Sequence, residues 1–148
     1  MDINAAAMQA ARDFLGRVRM LRNRIENKML RIETLRDMAT NTTSQVSDMP
    51  RSDSPNLQRM ETVMCKVVDL EREIAEDRDA MEEAKEQIAA ALCELDDYRE
   101  QRVLYERYVE CAAWAAIIVE CGYARSSVYR YHDTGIEHLA VILERRSA

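Results

Sequence analysis

Glycine and proline are scarce in this chain of 148 residues, at three and two, and aromatic residues make up only 5% of it. Sheets draw on β-branched and aromatic side chains and on frequent turns, so the shortage excludes a sheet-rich fold. Histidine is scarcer still, with His132 and His138 the only two, and Cys65, Cys93, Cys111 and Cys121 form no Cys-x-x-Cys pair. That spacing offers no zinc site, no metal and no cofactor, and the cysteines are expected to be reduced core or surface residues. The longest apolar run, Cys111 to Val119, stops at Glu120, well short of the ~20 residues that span a bilayer. Met1 to Leu15 lacks a basic start followed by an apolar run, so no secretory signal is read there and a cytoplasmic location without membrane contact is expected. No nucleophile, base and orienting group recur at a recognisable spacing, so the chain is not expected to be an enzyme.

What the chain does contain is apolar residues at 47% and charged residues at 32%, enough for a real core under a strongly charged surface. The net charge of −6 is unevenly spread: residues 61–110 carry seven basic against sixteen acidic groups, whereas residues 1–40 carry eight against five. The run Glu71, Glu73, Glu76, Asp77, Asp79, Glu82, Glu83 and Glu86 is expected to be a solvated acidic face. Carboxylates of a metal bundle point inward at matched depths and bring a His partner, and none is near.

Periodicity organises the rest. Ala7, Ala11, Phe14, Val18, Leu21, Ile25, Lys28, Ile32, Leu35 and Ala39 alternate spacings of four and three, a heptad seam on one helix of about 35 residues. From Thr40 to Leu57 the Asn, Thr, Ser and Asp residues and both prolines cluster, which predicts a loop at about 40–57, with Ser54 and Pro55 restarting a helix. A second seam follows through Met60, Val63, Val67, Leu70, Ile74, Asp77, Met81, Ala84, Ile88, Ala91, Leu95 and Tyr98. The predicted fold is all-α: a long antiparallel, coiled-coil-like helical hairpin over residues 1–98, then a small helix-turn-helix domain over 99–148. Lys28 and Asp77 are the single charges on their seams and are expected to meet, across the hairpin or across a homodimer interface, where such residues fix register and oligomeric state.

After Asp96 the elements shorten. Helices are predicted over Glu100 to Tyr108, Ala113 to Cys121 and Arg125 to about Leu143, with a tight break at Gly122 and Tyr123. Leu104, Tyr108, Trp114, Ile117, Val128, Ile136 and Leu139 are placed to form the core of this module, with His132 and His138 at its surface or edge.

The residues here carry a resemblance. Leu104, Arg107 and Tyr108 in a Leu-x-x-Arg-Tyr helix, Trp114 and Ile117 in the next, Gly122 and Tyr123 in the turn, and Val128, Tyr129 and Arg130 in the last helix look like sigma-factor region 4. They most resemble the small ArpU-like phage and prophage transcriptional regulators. The resemblance implies a double-stranded DNA partner read by Arg125, Ser126, Ser127, Tyr129 and Arg130, with Arg145 and Arg146 adding backbone contacts, in the cytoplasm of a bacterial host. An alternative is a phage protein-interaction module or anti-CRISPR-like inhibitor that binds host RNA polymerase or a defence nuclease through the acidic helix or the altered helix-turn-helix. Three departures from the family pattern stand out. Ala124 replaces a capping Ser, a change that typically costs ~1 kcal/mol. Gly135 replaces a small Ala at a similar expected cost. Ala115, Ala116 and Ile118 widen an apolar surface.

Overall fold

The computed structural model describes residues 4–47 and 54–148. Among these residues there are six α-helices and no strand, so the chain is all-α: α1 Ala5–Leu15, α2 Arg17–Ser47, α3 Ser54–Leu92, α4 Tyr98–Tyr108, α5 Trp114–Cys121 and α6 Arg125–Ser147. They divide into two compact units, Leu21–Ala80 and Met1–Met20 with Met81–Ala148.

In the unit Leu21–Ala80, the two seams meet. Leu21, Ile25, Ile32, Leu35 and Ala39 of α2 and Val63, Val67 and Ile74 of α3 are all buried, and burying each aliphatic side chain contributes about 1.5–3 kcal/mol. The polar exceptions find each other within one chain: Lys28 Nζ donates to Asp77 Oδ2 at 2.7 Å, and Arg24 reaches Asp77 Oδ1 at 3.6 Å. Arg36 pairs with Glu71 at 2.8 Å, so the contacts fall in antiparallel order. The side chains of Lys28 and Asp77 are only 18% and 10% exposed, so the pair sits in the seam and not at its rim. The predicted loop begins too early, because α2 continues to Ser47, whereas α3 begins at Ser54, where the helix was expected to restart. A polar helical face needs no hydrophobic seam to persist for two further turns, and Asn, Thr and Ser are poor rather than forbidden helix residues. The remainder of the predicted loop, residues 48–53, lies outside the described residues.

The other unit assembles chain segments from both ends. Its first helix is capped by Asn4, whose Oδ1 accepts from the Ala7 N–H at 2.7 Å, and is separated from α2 at Gly16, which has φ −78° and ψ −3°. One continuous helix over 1–39 is therefore not formed. The break carries the seam from Ala7 and Ala11 to a fully buried Leu15, leaving the predicted Phe14 half-buried, and lets α1 pack against α6. This is why the compact unit begins with the first twenty residues instead of at 99. Ala84, Ile88, Ala91 and Leu92 of α3, with Leu95 just after it, supply that side of the core. Tyr98, expected to end the second seam, is 69% exposed and starts α4.

No helix among the described residues is long and apolar enough to cross a membrane.

Candidate nucleic-acid interface

The C-terminal helices are held by polar contacts at their ends and by a small core between them. Asp97 caps α4, accepting from the Arg99 N–H at 2.8 Å, and the Arg99 guanidinium returns to the same carboxylate and to the Tyr131 hydroxyl at 3.1 Å. Those Arg99 bonds hold the Asp97 carboxyl below its ordinary pKa. Val103 of α4, Ile117 of α5 and Val128 of α6 form the buried centre, with Ala112, Trp114, Ile118, Cys121, Tyr123 and Tyr131 packed around it. Gly122 ends α5 in the left-handed region at φ 71°, and its N–H donates to the Ile118 carbonyl at 3.1 Å. Nothing lies near the position a Cβ would take there, so the glycine is required for its dihedral and not for space. Ala124 precedes α6 in extended geometry with no side-chain cap, as its side chain dictates.

Of the seven residues expected in the core, Leu104, Ile117, Val128, Ile136 and Leu139 are buried, while Tyr108 and Trp114 are half-buried at its edge. Sequence reasoning missed the polar core. Glu100 is only 4% exposed and uses both carboxylate oxygens on α6, accepting from Thr134 Oγ1 at 3.0 Å and pairing with His138 Nδ1 at 2.8 Å. Thr134 and His138 share a helix face at i and i+4, but nothing local in the chain names Glu100 as their partner.

The Glu100 hydrogen bond, supported by the charges of Glu100, Glu137 and Asp96 and opposed by partial burial, raises His138 above its ordinary value of 6.5. A histidine whose folded value exceeds its unfolded one contributes stability that is complete below the unfolded value and is lost as pH rises through the folded one. Urea unfolding midpoints should therefore fall as pH rises from about 6.5 through the raised His138 value, and His138→Gln should flatten that fall. A variant with the same pH slope as the parent would refute this. The effect is modest, because the His138 side chain is 62% exposed and solvent screens the pair.

The five residues assigned to DNA reading do not share one environment. Arg125, Ser126 and Arg130 are exposed at the start of α6, whereas Ser127 and Tyr129 are half-buried. Tyr129 packs its ring on Trp114, with centroids 4.9 Å apart. It lies one position from the buried Val128, so it leans on the core edge and has less of its ring to offer a base. The Arg125 guanidinium lies 6.0 Å from the Tyr129 ring and the Arg107 guanidinium 4.5 Å from the Trp114 ring. Among the described residues, no carboxylate pairs with Arg107, Arg125 or Arg130. Arg146, by contrast, is engaged by Glu94.

Beside this face, the Tyr108 hydroxyl meets His132 Nε2 at 2.6 Å and His132 Nδ1 meets Asp133 Oδ1 at 2.9 Å, with Trp114 edge-on to the imidazole at 4.9 Å. A hydroxyl, an imidazole and a carboxylate in line suggest nucleophile activation, but burial pushes the Tyr108 phenol up from its ordinary value. A neutral phenol that orients the ring is what such an environment favours. The backbone beside it is unusual at Cys111, whose φ of 56° is in the left-handed region.

The acidic run of α3 behaves as a solvated face: apart from Asp77, its carboxylates are exposed. No group of three or more metal-ligating side chains gathers among the described residues. Comparison with protein-family models, with curated proteins and with solved structures finds no match to this chain.

Proposed function

We propose that the protein is a phage-type, DNA-binding transcriptional regulator in which α5, the Gly122 turn and α6 act as a sigma-like helix-turn-helix, carried by the helical hairpin of α2 and α3. The observation that carries this reading is the exposure of Arg125, Ser126 and Arg130 on the first turns of α6, with no acid among the described residues paired to either arginine. Such a helix start favours phosphate, and its arginines suit guanine edges in a major groove. In this reading two copies act together, matching a pseudo-palindromic site.

The test is duplex selection from a random pool followed by titration of the selected and a random duplex. The parent chain should prefer the selected duplex, and Arg125→Ala with Arg130→Ala should abolish that preference, a loss on the order of a hundredfold at 1–3 kcal/mol for each base contact. Preference that survives both substitutions removes α6 as the reader.

A second reading is a module that docks on host RNA polymerase or a defence nuclease. Val119, 79% exposed on α5 beside the exposed Ala115 and Ala116, favours it, as does the acidic excess of residues 61–110. Val119→Asp separates the two, since it should spare duplex binding and disrupt an apolar protein contact.

A further inference from the structure

Arg107 sits on α4, outside the elements that read bases in the proposed function, yet it is held as deliberately as any residue on α6. Its Nη1 donates to the Ala112 carbonyl at 3.0 Å and its guanidinium lies 4.5 Å from the Trp114 ring centroid. Trp114 leans on Tyr129 at 4.9 Å, and Tyr129 in turn stands 6.0 Å from the Arg125 guanidinium. The result is an alternating ladder of cation, ring, ring and cation running from α4 across the start of α5 to the start of α6. Its two guanidinium groups are at most about 15 Å apart, comparable with the ≈ 12 Å width of a major groove. Asp133, exposed on α6, is bonded to His132.

Two facts single out Arg107. It is partly buried, which a cation resists, and it feels the positive charge of Arg19 of α2; both pull its guanidinium below the ordinary value. A half-buried arginine that feels a like charge, and to which no carboxylate is paired among the described residues, is stabilised by an anion that reaches it. An arginine over a ring keeps its fork in a fixed plane, the geometry that suits phosphate oxygens.

We infer that Arg107 is a DNA phosphate contact, gripping the backbone at the groove rim while Arg125 and Arg130 enter the groove, with Trp114 and Tyr129 as the rigid strut between the two. This rests on the DNA-binding reading and adds to it a contact that anchors the module without reading sequence. Trp114 is the only tryptophan in the chain, so the strut reports on itself: phosphate binding at Arg107 should change its emission.

The experiment titrates two fluorescein-labelled duplexes, one selected by the protein and one of random sequence, across about 50–200 mM salt. Arg107→Gln should weaken both duplexes alike, by about three- to tenfold, and lower the slope of log affinity against log salt by about 0.9. Arg107→Lys should recover most of the slope, and Arg19→Gln, which leaves the Ala112 hydrogen bond in place, should weaken both duplexes in the same uniform way. If Arg107→Gln proves poorly folded by its circular dichroism melt, the Lys and Arg19 variants decide the matter. Unchanged slope and affinity, or a loss confined to the selected duplex, would overturn the phosphate assignment while leaving the reader intact. A parent chain that binds neither duplex would instead remove the DNA-binding reading itself.

Discussion

Gly135→Ala is expected to unfold at lower urea concentration than the parent, even though alanine is the better helix former. In an exposed helix the change would stabilise by about 1 kcal/mol. Gly135 is buried in α6 against α4, and a Cβ there would stand 2.8 Å from Leu104 Cδ1 and 3.3 Å from Glu100 Cβ. Leu104 is fully buried, so its methyl can give way only by a rotamer change within the packed core. Overpacking of this kind costs about 1–3 kcal/mol, so after the helix-propensity gain the net expectation is a loss of up to about 2 kcal/mol for alanine and ~3 kcal/mol or more for valine. The pairing can be read directly from a double-mutant cycle. Leu104→Ala alone should cost 2–5 kcal/mol as a cavity mutation, and the double variant should cost less than the two singles together. Gly135→Ala with parental or greater stability would show that α4 and α6 have slack the close approach does not suggest. The glycine that looked like a weakness from propensity is thus the condition for Glu100 to reach Thr134 and His138.

Asp77→Leu should be the most harmful single change in the unit Leu21–Ala80. It leaves Lys28, with a side chain 18% exposed, facing only Glu73 at 4.0 Å in place of the 2.7 Å bond. Stranding one member of a buried pair costs up to about 3–5 kcal/mol, whereas exchanging both members for apolar groups is often neutral or stabilising. Lys28→Leu with Asp77→Leu should therefore recover the parental melting temperature or exceed it. Because the pair closes within one chain, its removal bears on register before it bears on association. Mass in solution, measured by sedimentation, should show whether the double variant loses its oligomeric specificity, and an unchanged mass would dissociate the pair from any role between copies.

The two seams were legible because they are local: spacing of three and four repeats along the chain, and Leu21, Ile25, Ile32, Val63, Val67 and Ile74 are buried as that pattern requires. Lys28 and Asp77 could be singled out for the same reason, as charges in an apolar register. What periodicity could not supply is where a seam changes partner. The change at Gly16 depends on α6, more than a hundred residues later in the chain, and so does the burial of Leu15 in place of Phe14. The continuation of α2 to Ser47 was hidden for the opposite reason, since polar helix and polar loop differ little in composition. At the candidate interface, the exposed arginines of α6 were named from the chain. The leaning of Tyr129 on Trp114, the place of Arg107 and the bonds of Glu100 all depend on distances between helices, which no local pattern encodes.

The docking of α1 on α6 also sets an order of events. Leu21–Ala80 contains both of its own helical strands and can close as soon as they leave the ribosome. The unit that carries Arg107, Arg125 and Arg130 needs the first fifteen residues and the last twenty together, so its loop-closure cost is paid late. Until α6 is complete, α1 lacks the helix it packs against, so Ala7, Ala11 and Leu15, buried in the folded chain, are expected to be more exposed in a nascent or truncated one. Loss of the N-terminal helix would thus be felt at the far end of the polypeptide, as a loosened α6 rather than a missing terminus.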